Sequence, residues 1–582
     1  MRYSMIIICI FYAFFHVTSC FIITTSFGTI EGKQIGEFHS FKKVPFAQPP
    51  LGRLRFQKPK RVEKWKGILN AKEYGPACMS NSSSTSSPQK WVDEDCLHIN
   101  IFTSTKCLKS NDCAVAFYIH GGELLYDSAV MFNETVLFDT FASRDVVLVI
   151  PAFRLGFFSH FVVQDQSVAP NNLALFDILS ALEFVKEEIK NFGGDCNKVT
   201  VLGHSFGGQV VSVMTFSPKI NKDLSSFQRA VIMSDANVFE TLDFQIEKTL
   251  RFAEHANCSV STETGEKLTR KQSQYMMECL QKIDGIVLLR IQRSLEDAGY
   301  PLYEGIIMRE PLFEIVKNQE FFDKPKNIPT LSGCTYVELD KFQAYHDIVR
   351  TIGYENYEEC DAKYRKDKEE NENLFNGHAD ETLAIFAMTG LRARKLLAKG
   401  IKTYLYEYSY PNHAVHTDDL SYIMGIHTFD KDENERNLAT FYKDIFTNFV
   451  KYGEPGNGFE ETRAEDMGYM NIYWNATSGE RPAMKKNFEA KVSKYWLEDM
   501  FEYDRNVTAC KKARITKYPN VRSLSNSPDG QQFYIYICSL IVLLVFVAGC
   551  IFGKMCGPQA QNRRLYIKLD GTDHYFSNDK SY

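Results

Sequence analysis

The sequence lacks any long run of basic residues. Its 582 residues include 67 lysines and arginines against 72 aspartates and glutamates, which gives a formal net charge of −5. Because nucleic-acid phosphates are bound by clustered basic side chains, no nucleic-acid partner is expected. No internal repeat is visible and no calcium or zinc motif is evident, so neither a metal ion nor another cofactor is predicted. The sequence does not indicate an oligomeric state.

The N-terminal end has the features of a targeting segment. Residues 1–20 combine one early basic residue, Arg2, with an apolar run from Met5 to about Phe15 and then small residues. An apolar run of about ten residues is too short to span a bilayer. Residues 1–20 are therefore predicted to be a cleaved signal peptide.

A second apolar segment lies near the C-terminus. Residues 533–553 contain no charged residue, and as a helix they would cover roughly 30 Å of hydrocarbon. Basic residues follow this span, so residues 554–582 are predicted to be a cytoplasmic tail. Residues 521–532 are polar and are interpreted as a stalk. The prediction is a single-pass type I membrane protein whose ectodomain, residues 21–520, is lumenal or extracellular, at the plasma membrane or in an endosome- or lysosome-related organelle.

Cysteines and glycosylation sequons agree with this topology. Of 15 cysteines, five lie in the leader or in and beside the apolar C-terminal segment. The even number that remains is consistent with disulfides in an oxidising compartment. Five sequons for N-glycosylation fall between the two apolar segments; they are Asn81, Asn133, Asn257, Asn475 and Asn506.

Residues 21–520 are predicted to form one domain of alternating strands and helices. Residues 172–191 have the apolar spacing of an amphipathic helix. Short apolar runs typical of strands buried on both faces lie at 114–119, 146–150, 199–202 and 230–233. This order predicts an α/β fold with a mostly parallel central sheet and helices on both faces.

The motif with the clearest chemistry is a serine flanked by glycines. Residues 203–207 read Gly-His-Ser-Phe-Gly, directly after one of the apolar strands and before a helix. Glycines at these positions allow a turn too tight for a Cβ, and the turn exposes the serine hydroxyl beside a helix N-terminus. Ser205 is therefore the candidate nucleophile.

Several further blocks, in chain order, resemble the carboxylesterase and cholinesterase family of α/β-hydrolases. The blocks lie at 44–52, 55–56, 94–100, 153–158, 192–195 and 203–207. Together they span nearly the whole ectodomain, and the C-terminal anchor places the chain with the membrane-anchored branch of this type-B family. The resemblance implies an α/β-hydrolase fold and esterase activity.

The resemblance also implies a catalytic triad in the order Ser, Glu, His. The acid is expected at Glu338, within residues 333–338, and the base at His416, within residues 416–420. His413 is close by, but the acidic pair that follows His416 favours His416. In this scheme His416 takes the proton of Ser205, while Glu338 holds the imidazole in the required tautomer.

The oxyanion loop departs from the family pattern. It reads His-Gly-Gly-Glu over residues 120–123, where most members of the family have a third glycine. The resemblance assigns the oxyanion donors to the backbone N–H groups of Gly122, Glu123 and Phe206. The carboxylate of Glu123 could oppose the developing oxyanion, swing outward, or position water or another acceptor near Ser205; the sequence leaves these three options open.

Two further departures flank the serine. Phe206 replaces the usual alanine, which should narrow the acyl pocket. His204 stands where the family commonly has glutamate, and the tryptophan that stacks on choline is not found at its usual spacing before Cys96. A cholinesterase is therefore disfavoured, and the expected substrates are small uncharged carboxylic esters.

The resemblance implies two disulfides, Cys78–Cys96 and Cys258–Cys279. Cys107 and Cys113 could close a short local loop, and the remaining ectodomain cysteines are unassigned.

Two other functions stay open at this point. One is an acyltransferase that moves the acyl group to a small glycolipid-type hydroxyl, since both reactions share an acyl-enzyme on Ser205. The other is an adhesion or binding protein of the neuroligin kind, with the same fold, stalk and anchor but a weak or silent active site.

Overall fold

The apolar runs of the sequence form the strands of one large sheet. The computed structural model describes residues 18–80, 91–236, 239–260, 267–300, 305–314, 318–341, 347–371 and 373–517. The strands are β1 Thr18–Thr24, β2 Thr29–Ile35, β3 Phe38–Pro45, β4 Ile68–Asn70, β5 His98–Ser104, β6 Cys113–Ile119, β7 Val146–Pro151, β8 Gly194–His204, β9 Arg229–Met233, β10 Phe239–Glu240, β11 Ile306–Ile307, β12 Thr330–Thr335, β13 Thr403–Tyr408, β14 Tyr469–Ile472 and β15 Ala483–Lys485.

Helices connect most of these strands. The α-helices are α1 Thr105–Ser110, α2 Glu134–Thr140, α3 Leu173–Glu188, α4 Phe206–Phe216, α5 Leu242–His255, α6 Arg270–Leu280, α7 Gly285–Asp297, α8 Asn318–Phe321, α9 Ile348–Ile352, α10 Tyr357–Glu370, α11 Asp380–Leu397, α12 Leu420–Ile423, α13 Glu433–Tyr452, α14 Ala490–Lys494 and α15 Met500–Lys517. Short 3₁₀ turns occur at Gly52–Leu54, Ala142–Arg144, Gly156–Phe158 and Ile189–Phe192, and one π turn at Tyr495–Asp499.

The centre of the sheet is parallel and its edges are antiparallel. In the described part of the chain the order is β1-β2-β3-β5-β7-β6-β8-β9-β12-β13-β14-β15, with β4 paired to β2. Strands β10 and β11 pair with each other in a separate two-stranded parallel sheet. Every pair from β7 to β14 in this order is parallel. The central strands β6, β7 and β12 are buried throughout. Burial on both faces explains the apolar sequences of β6 and β7, whereas β12 is built largely from small residues. The mostly parallel sheet predicted from the sequence is confirmed.

The parallel arrangement places three strand ends together. Residue Ser205 follows β8, Glu338 lies three residues beyond β12, and His416 follows β13 after a short loop. The carboxyl ends of parallel strands lie at one edge of a sheet, where α/β proteins generally build their sites. Helix α4, which begins immediately after Ser205, is buried along its whole length, so the sheet and the packed helix both hold the serine.

Three disulfides lie in the described chain. Cys78–Cys96 and Cys258–Cys279 are bonded, as the family resemblance implies, and so are Cys107 and Cys113. Four further cysteines are free thiols: Cys196, Cys334, Cys360 and Cys510. Cross-links at the two ends of loops lower the entropy of the unfolded chain and so stabilise the fold.

The predicted glycosylation sites are compatible with modification where the structure describes them. Asn133, Asn257 and Asn506 are exposed and Asn475 is half-buried. Asn81 lies outside the described residues. Whether any of the five carries a glycan stays a prediction.

The predicted topology falls mostly outside the described chain. Residues 1–17 of the predicted signal peptide lie there, as do the stalk, the span at 533–553 and the tail. Within the described residues, no helix combines the length and the apolar composition that a membrane span requires. The chain divides into two compact units, one ending at Arg505 and one beginning at Asn506, and the described part of the second is the end of α15.

Candidate active site

Ser205 lies on a sharp turn between β8 and α4. Its backbone has φ 56° and ψ −126°, a combination that L-residues rarely adopt. The flanking glycines allow this turn: a Cβ on Gly203 would lie 2.1 Å from the carbonyl oxygen of Gly207, and one on Gly207 would lie 2.1 Å from that of Ile119. The turn presents the serine side chain at the carboxyl end of β8, beside the N-terminus of α4.

Glu338 and His416 form a hydrogen-bonded pair. Oε2 of Glu338 lies 2.5 Å from Nδ1 of His416, and the backbone N–H of His416 donates to the carbonyl oxygen of Glu338 at 2.8 Å. The other carboxylate oxygen of Glu338 accepts the backbone N–H of Thr335 at 2.7 Å. Glu338 is fully buried, so these contacts hold the carboxylate in one orientation and, through it, the imidazole ring.

A cavity of about 430 Å³ brings the predicted site residues together. Ser205 and His416 both line it, and Glu338 contacts His416 from outside the lining. The three residues predicted to supply oxyanion donors, Gly122, Glu123 and Phe206, line the same cavity. Among the described residues, no hydrogen bond joins the Ser205 hydroxyl to the His416 ring. Catalytic hydrogen bonds of this kind are often long before substrate binds and tighten when it does.

The surroundings of His416 favour its protonated form. Burial lowers its pKa, but the charge of Glu338 and the hydrogen bond to it raise the pKa, and the charges of Asp419 and Glu123 add to this. The net effect is a pKa above the usual value for histidine. An imidazole that gains stability on protonation is well suited to accept a proton from a serine.

The oxyanion loop, which follows β6, has an unusual backbone. The φ angle is 92° at Gly122, 53° at Glu123 and 54° at Leu124. A left-handed backbone costs a non-glycine residue roughly 1–2 kcal/mol. Position 123 therefore has the conformation that the family's third glycine would favour, although a glutamate stands there.

The side chain of Glu123 points into the cavity. It is half-buried and lines the cavity together with Ser205 and His416. Burial raises the pKa of its carboxyl and the charge of Glu381 raises it further, whereas His416 and a hydrogen bond with Tyr126 lower it; the net pKa lies above the usual value. The sequence leaves three options open for this carboxylate, and the structure does not show the outward-swung side chain that one of them requires.

The two residues that flank Ser205 have different surroundings. The side chain of Phe206 is 9% exposed and lines the cavity. His204 is 1% exposed, and its ring centroid lies 4.7 Å from that of His416. Burial holds the pKa of His204 well below its usual value, and His416 and His427 lower it further. His204 is therefore an uncharged neighbour of the His416 ring.

Two further acidic residues lie near this site. Asp419 belongs to the acidic pair that favours His416 in the sequence, although no separate role was predicted for it. Its Oδ1 lies 3.9 Å from Nε2 of His204, and burial and the charge of Glu338 raise its pKa to about 7. Glu381 comes from the first turn of α11 and is 5% exposed; nothing in its local sequence marks it, because only the fold carries α11 to the cavity.

Comparison with known sequences agrees with this geometry. A model of the Carboxylesterase family matches residues 19–385 and 350–496. Carboxylesterase 1C of Mus musculus is 28% identical over 537 residues, which cover 81% of this chain and 92% of that protein. Gut esterase 1 of Caenorhabditis briggsae is 35% identical over 213 residues, which cover 37% of each chain. These relatives are named as esterases and favour neither the transferase nor the adhesion alternative.

Comparison with solved structures agrees as well. A PNB esterase has a TM-score of 0.66 at 22% identity and covers 81% of this chain and 98% of its own. The juvenile hormone esterase of Manduca sexta, solved with OTFP covalently attached, has a TM-score of 0.68 at 20% identity and covers 84% of this chain and 100% of its own. At these identities the likeness shows the fold, which is that of the α/β-hydrolases. With a family model matched over most of its length, the chain belongs to the carboxylesterase family.

Proposed function

We propose that this protein is a serine carboxylesterase that transfers the acyl group of a small carboxylic ester to Ser205 and then to water. The observation that carries the proposal is the Glu338–His416 pair, which is joined by a 2.5 Å hydrogen bond. His416 of this pair lines the same cavity as Ser205. Membership of the carboxylesterase family supports the same reaction.

In the first half-reaction, His416 accepts the proton of Ser205 as the serine oxygen attacks the ester carbonyl. The buried carboxylate of Glu338 keeps Nδ1 of His416 protonated, so that Nε2 is the atom that takes the proton. The imidazolium that results is stabilised by the adjacent Glu338 carboxylate. It then donates its proton to the departing alcohol, and the acyl group stays on Ser205.

In the second half-reaction, a water molecule replaces the alcohol. His416 removes a proton from that water as it attacks the acyl-enzyme, and the proton returns to Ser205 when the acid leaves. The backbone N–H groups of Gly122, Glu123 and Phe206 are proposed to stabilise the oxyanion in both halves. Phe206 is the first residue of α4, whose first-turn N–H groups have no acceptor within the helix.

We also propose the topology that the sequence predicts: a signal peptide at 1–20, a glycosylated ectodomain and one span at 533–553. Support comes from the apolar composition of the two terminal segments and from the accessibility of the described sequons. The three disulfides of the ectodomain also suit an oxidising compartment.

The test of the reaction is steady-state hydrolysis of a p-nitrophenyl ester by the purified full-length protein in detergent. Ser205→Ala and His416→Ala should each lower kcat by about 10⁴-fold or more, because the two residues act as a unit. The matched control is His255→Ala, a change on the surface of α5 that should leave kcat unchanged. Equal rates for wild type and Ser205→Ala would rule out the proposed nucleophile.

A further inference from the structure

A groove of about 1210 Å³ is lined by none of the residues assigned to the active site. It is formed by three chain segments, at 52–60, 167–170 and 270–282, the last of which contains α6. Glu278 is the one acidic residue among its described lining residues, whereas five are cationic: Arg53, Lys58, Lys60, Arg270 and Lys282. We call it the basic groove; its charge is opposite in sign to the formal net charge of −5 of the whole chain.

The cations of the basic groove are mostly not paired with acidic side chains. All five are exposed. Arg270 is the one that has an acidic partner among the described residues, with Nε 3.8 Å from Oδ2 of Asp165. The ammonium of Lys58 lies 4.2 Å from the centre of the Phe176 ring, and it and the other three cations make no ion pair in the described chain. Several unpaired cations around one concave surface attract an anionic ligand.

Three glutamines of the lining add acceptors for neutral hydroxyl groups. The amide nitrogen of Gln57 donates to the carbonyl oxygen of Val168 at 2.9 Å. That of Gln281 donates to the carbonyl oxygen of Arg55 at 2.8 Å, and that of Gln274 donates within α6. The three amide oxygens accept no hydrogen bond in the described chain, and an amide oxygen readily accepts one from a hydroxyl. The groove therefore offers positive charge and hydroxyl acceptors side by side.

The walls of the basic groove are joined to one another by covalent and hydrogen bonds. Gln57 links the segment at 52–60 to the segment at 167–170, and Gln281 links the segment at 270–282 to the first. The disulfide Cys258–Cys279 fixes α6 near its C-terminal end. A surface whose shape is set before the ligand arrives loses less entropy on binding.

We propose that the basic groove binds a sulfated polysaccharide chain, whose sulfates contact the cations and whose hydroxyls donate to the glutamine oxygens. The proposal is independent of the esterase reaction. A nucleic acid suits the groove less well, because none of the described lining residues is aromatic and could stack on a base. A bilayer surface is broad, so it cannot reach into a concave groove, and an acidic peptide offers few hydroxyl donors.

The experiment measures binding of a heparin-derived decasaccharide to the purified full-length protein in a non-ionic detergent. Wild type should bind it, and the affinity should fall as salt is added, since salt competes with contacts to a polyanion. The triple variant Arg53→Gln, Lys60→Gln, Lys282→Gln should bind about tenfold more weakly, because each exposed charge contact contributes a modest factor. The affinity of this variant should also depend less steeply on salt.

The matched control removes the same charges from exposed positions outside the lining. It is the triple variant Lys109→Gln, Lys399→Gln, Arg463→Gln, and it should bind the decasaccharide as wild type does. Both triple variants should unfold at the temperature of wild type, because all six side chains are exposed.

Protection of wild-type lysines gives a second measurement that does not depend on a variant. The decasaccharide should slow acetylation of Lys58, Lys60 and Lys282 by an N-hydroxysuccinimide ester, mapped by mass spectrometry, and should leave Lys109 and Lys399 unprotected. Equal rates with and without the decasaccharide at the three groove lysines would overturn the inference.

Three other results would also overturn it. The first is that wild type does not bind the decasaccharide, and the second is that the two triple variants bind it equally well. The third is that a fully desulfated decasaccharide binds as tightly as the sulfated one. If phosphatidylserine vesicles bind wild type and the decasaccharide does not, the groove recognises a lipid headgroup and the polysaccharide is excluded.

Discussion

Glu123 is the residue of the oxyanion loop that departs from the family pattern. It has φ 53°, where glycine is favoured, and it lines the same cavity as Ser205. We predict that Glu123→Gly raises kcat for an uncharged p-nitrophenyl ester by about tenfold, part of the 10²- to 10³-fold that one oxyanion donor typically contributes. Stopped-flow or steady-state kinetics would measure the change.

The control for this prediction is Glu123→Gln. This variant keeps a non-glycine residue at the positive φ of position 123 and removes the charge of the carboxylate. If the charge alone limits the rate, the glutamine and glycine variants should gain equally. If backbone strain contributes, only glycine should reach the full gain. A fall in kcat in both variants would mean that the carboxyl of Glu123 assists the reaction.

The pH profile reports a second effect of Glu123. His416 must be neutral to accept a proton, so kcat/KM is lost as the pH falls through its pKa. The charge of Glu123 is one of the causes that raise this pKa, alongside Glu338 and Asp419. In Glu123→Gln the acid limb of the profile should therefore move to lower pH, while Glu254→Gln should leave it in place. A limb that stays, or that moves to higher pH, would contradict the position of Glu123 near His416.

Single residues of the site differ in how far the sequence identifies them. Ser205, Glu338 and His416 each lie in a block that resembles the family, and the structure brings all three to one place. Glu381 could not be predicted, because it reaches the cavity only through the packing of α11 against β12 and β13. The direction of the Glu123 side chain depends on its neighbours Tyr126 and Glu381, which are set by the three-dimensional structure.

Among the elements, the β8–α4 turn has no room for a Cβ at Gly203 or Gly207. Gly207 lies inside helix α4, where alanine is normally the better helix former. The Cβ of an alanine at position 207 would nevertheless lie 2.1 Å from the carbonyl oxygen of Ile119. We predict that Gly207→Ala destabilises the protein by about 3 kcal/mol through this overlap and lowers kcat about 100-fold by displacing Ser205. Thermal unfolding and ester hydrolysis would measure the two effects.

Gly468 is the matched control for that substitution. A Cβ there has its nearest neighbour at 3.5 Å, an ordinary contact, so Gly468→Ala should unfold within about 1 kcal/mol of wild type. If Gly207→Ala were as stable and as active as Gly468→Ala, the tight turn at Ser205 would be refuted.

The sequence identifies the central elements well and the edges of the sheet less well. The apolar runs at 114–119 and 146–150 lie within β6 and β7, and the helix predicted at 172–191 corresponds to α3 followed by a 3₁₀ turn. The antiparallel edge formed by β1, β2 and β3 was not predicted. Edge strands mix polar and apolar residues, and their pairing is set by partners distant in the sequence.

For the whole chain, the topology makes a prediction about where the protein accumulates. Expressed in a eukaryotic secretory pathway, the full-length chain should stay with membranes and shift in mass on treatment with an N-glycosidase. A chain that stops at residue 528 should be released into the medium, because it lacks the segment at 533–553. Membrane retention of the truncated chain, or release of the full-length one, would contradict the anchor, as measured by fractionation and immunoblotting.

The composition of the sequence is sufficient to predict the topology of the whole chain, but it is not sufficient to predict which substrate the protein prefers. The run of 21 uncharged residues at 533–553 can be identified directly in the sequence. The charge of the cavity is a property of several chain segments that meet only in the fold. Family membership therefore gives the reaction, whereas the choice among esters depends on the three-dimensional lining of the cavity.

The decisive measurement is labelling of the purified full-length protein with a fluorophosphonate probe, beside Ser205→Ala and Glu123→Gly. An activated nucleophile predicts that wild type is labelled, that labelling disappears in Ser205→Ala, and that the labelled peptide contains residue 205. Absence of labelling in wild type and in Glu123→Gly, with both proteins folded, would contradict an esterase built on Ser205, Glu338 and His416.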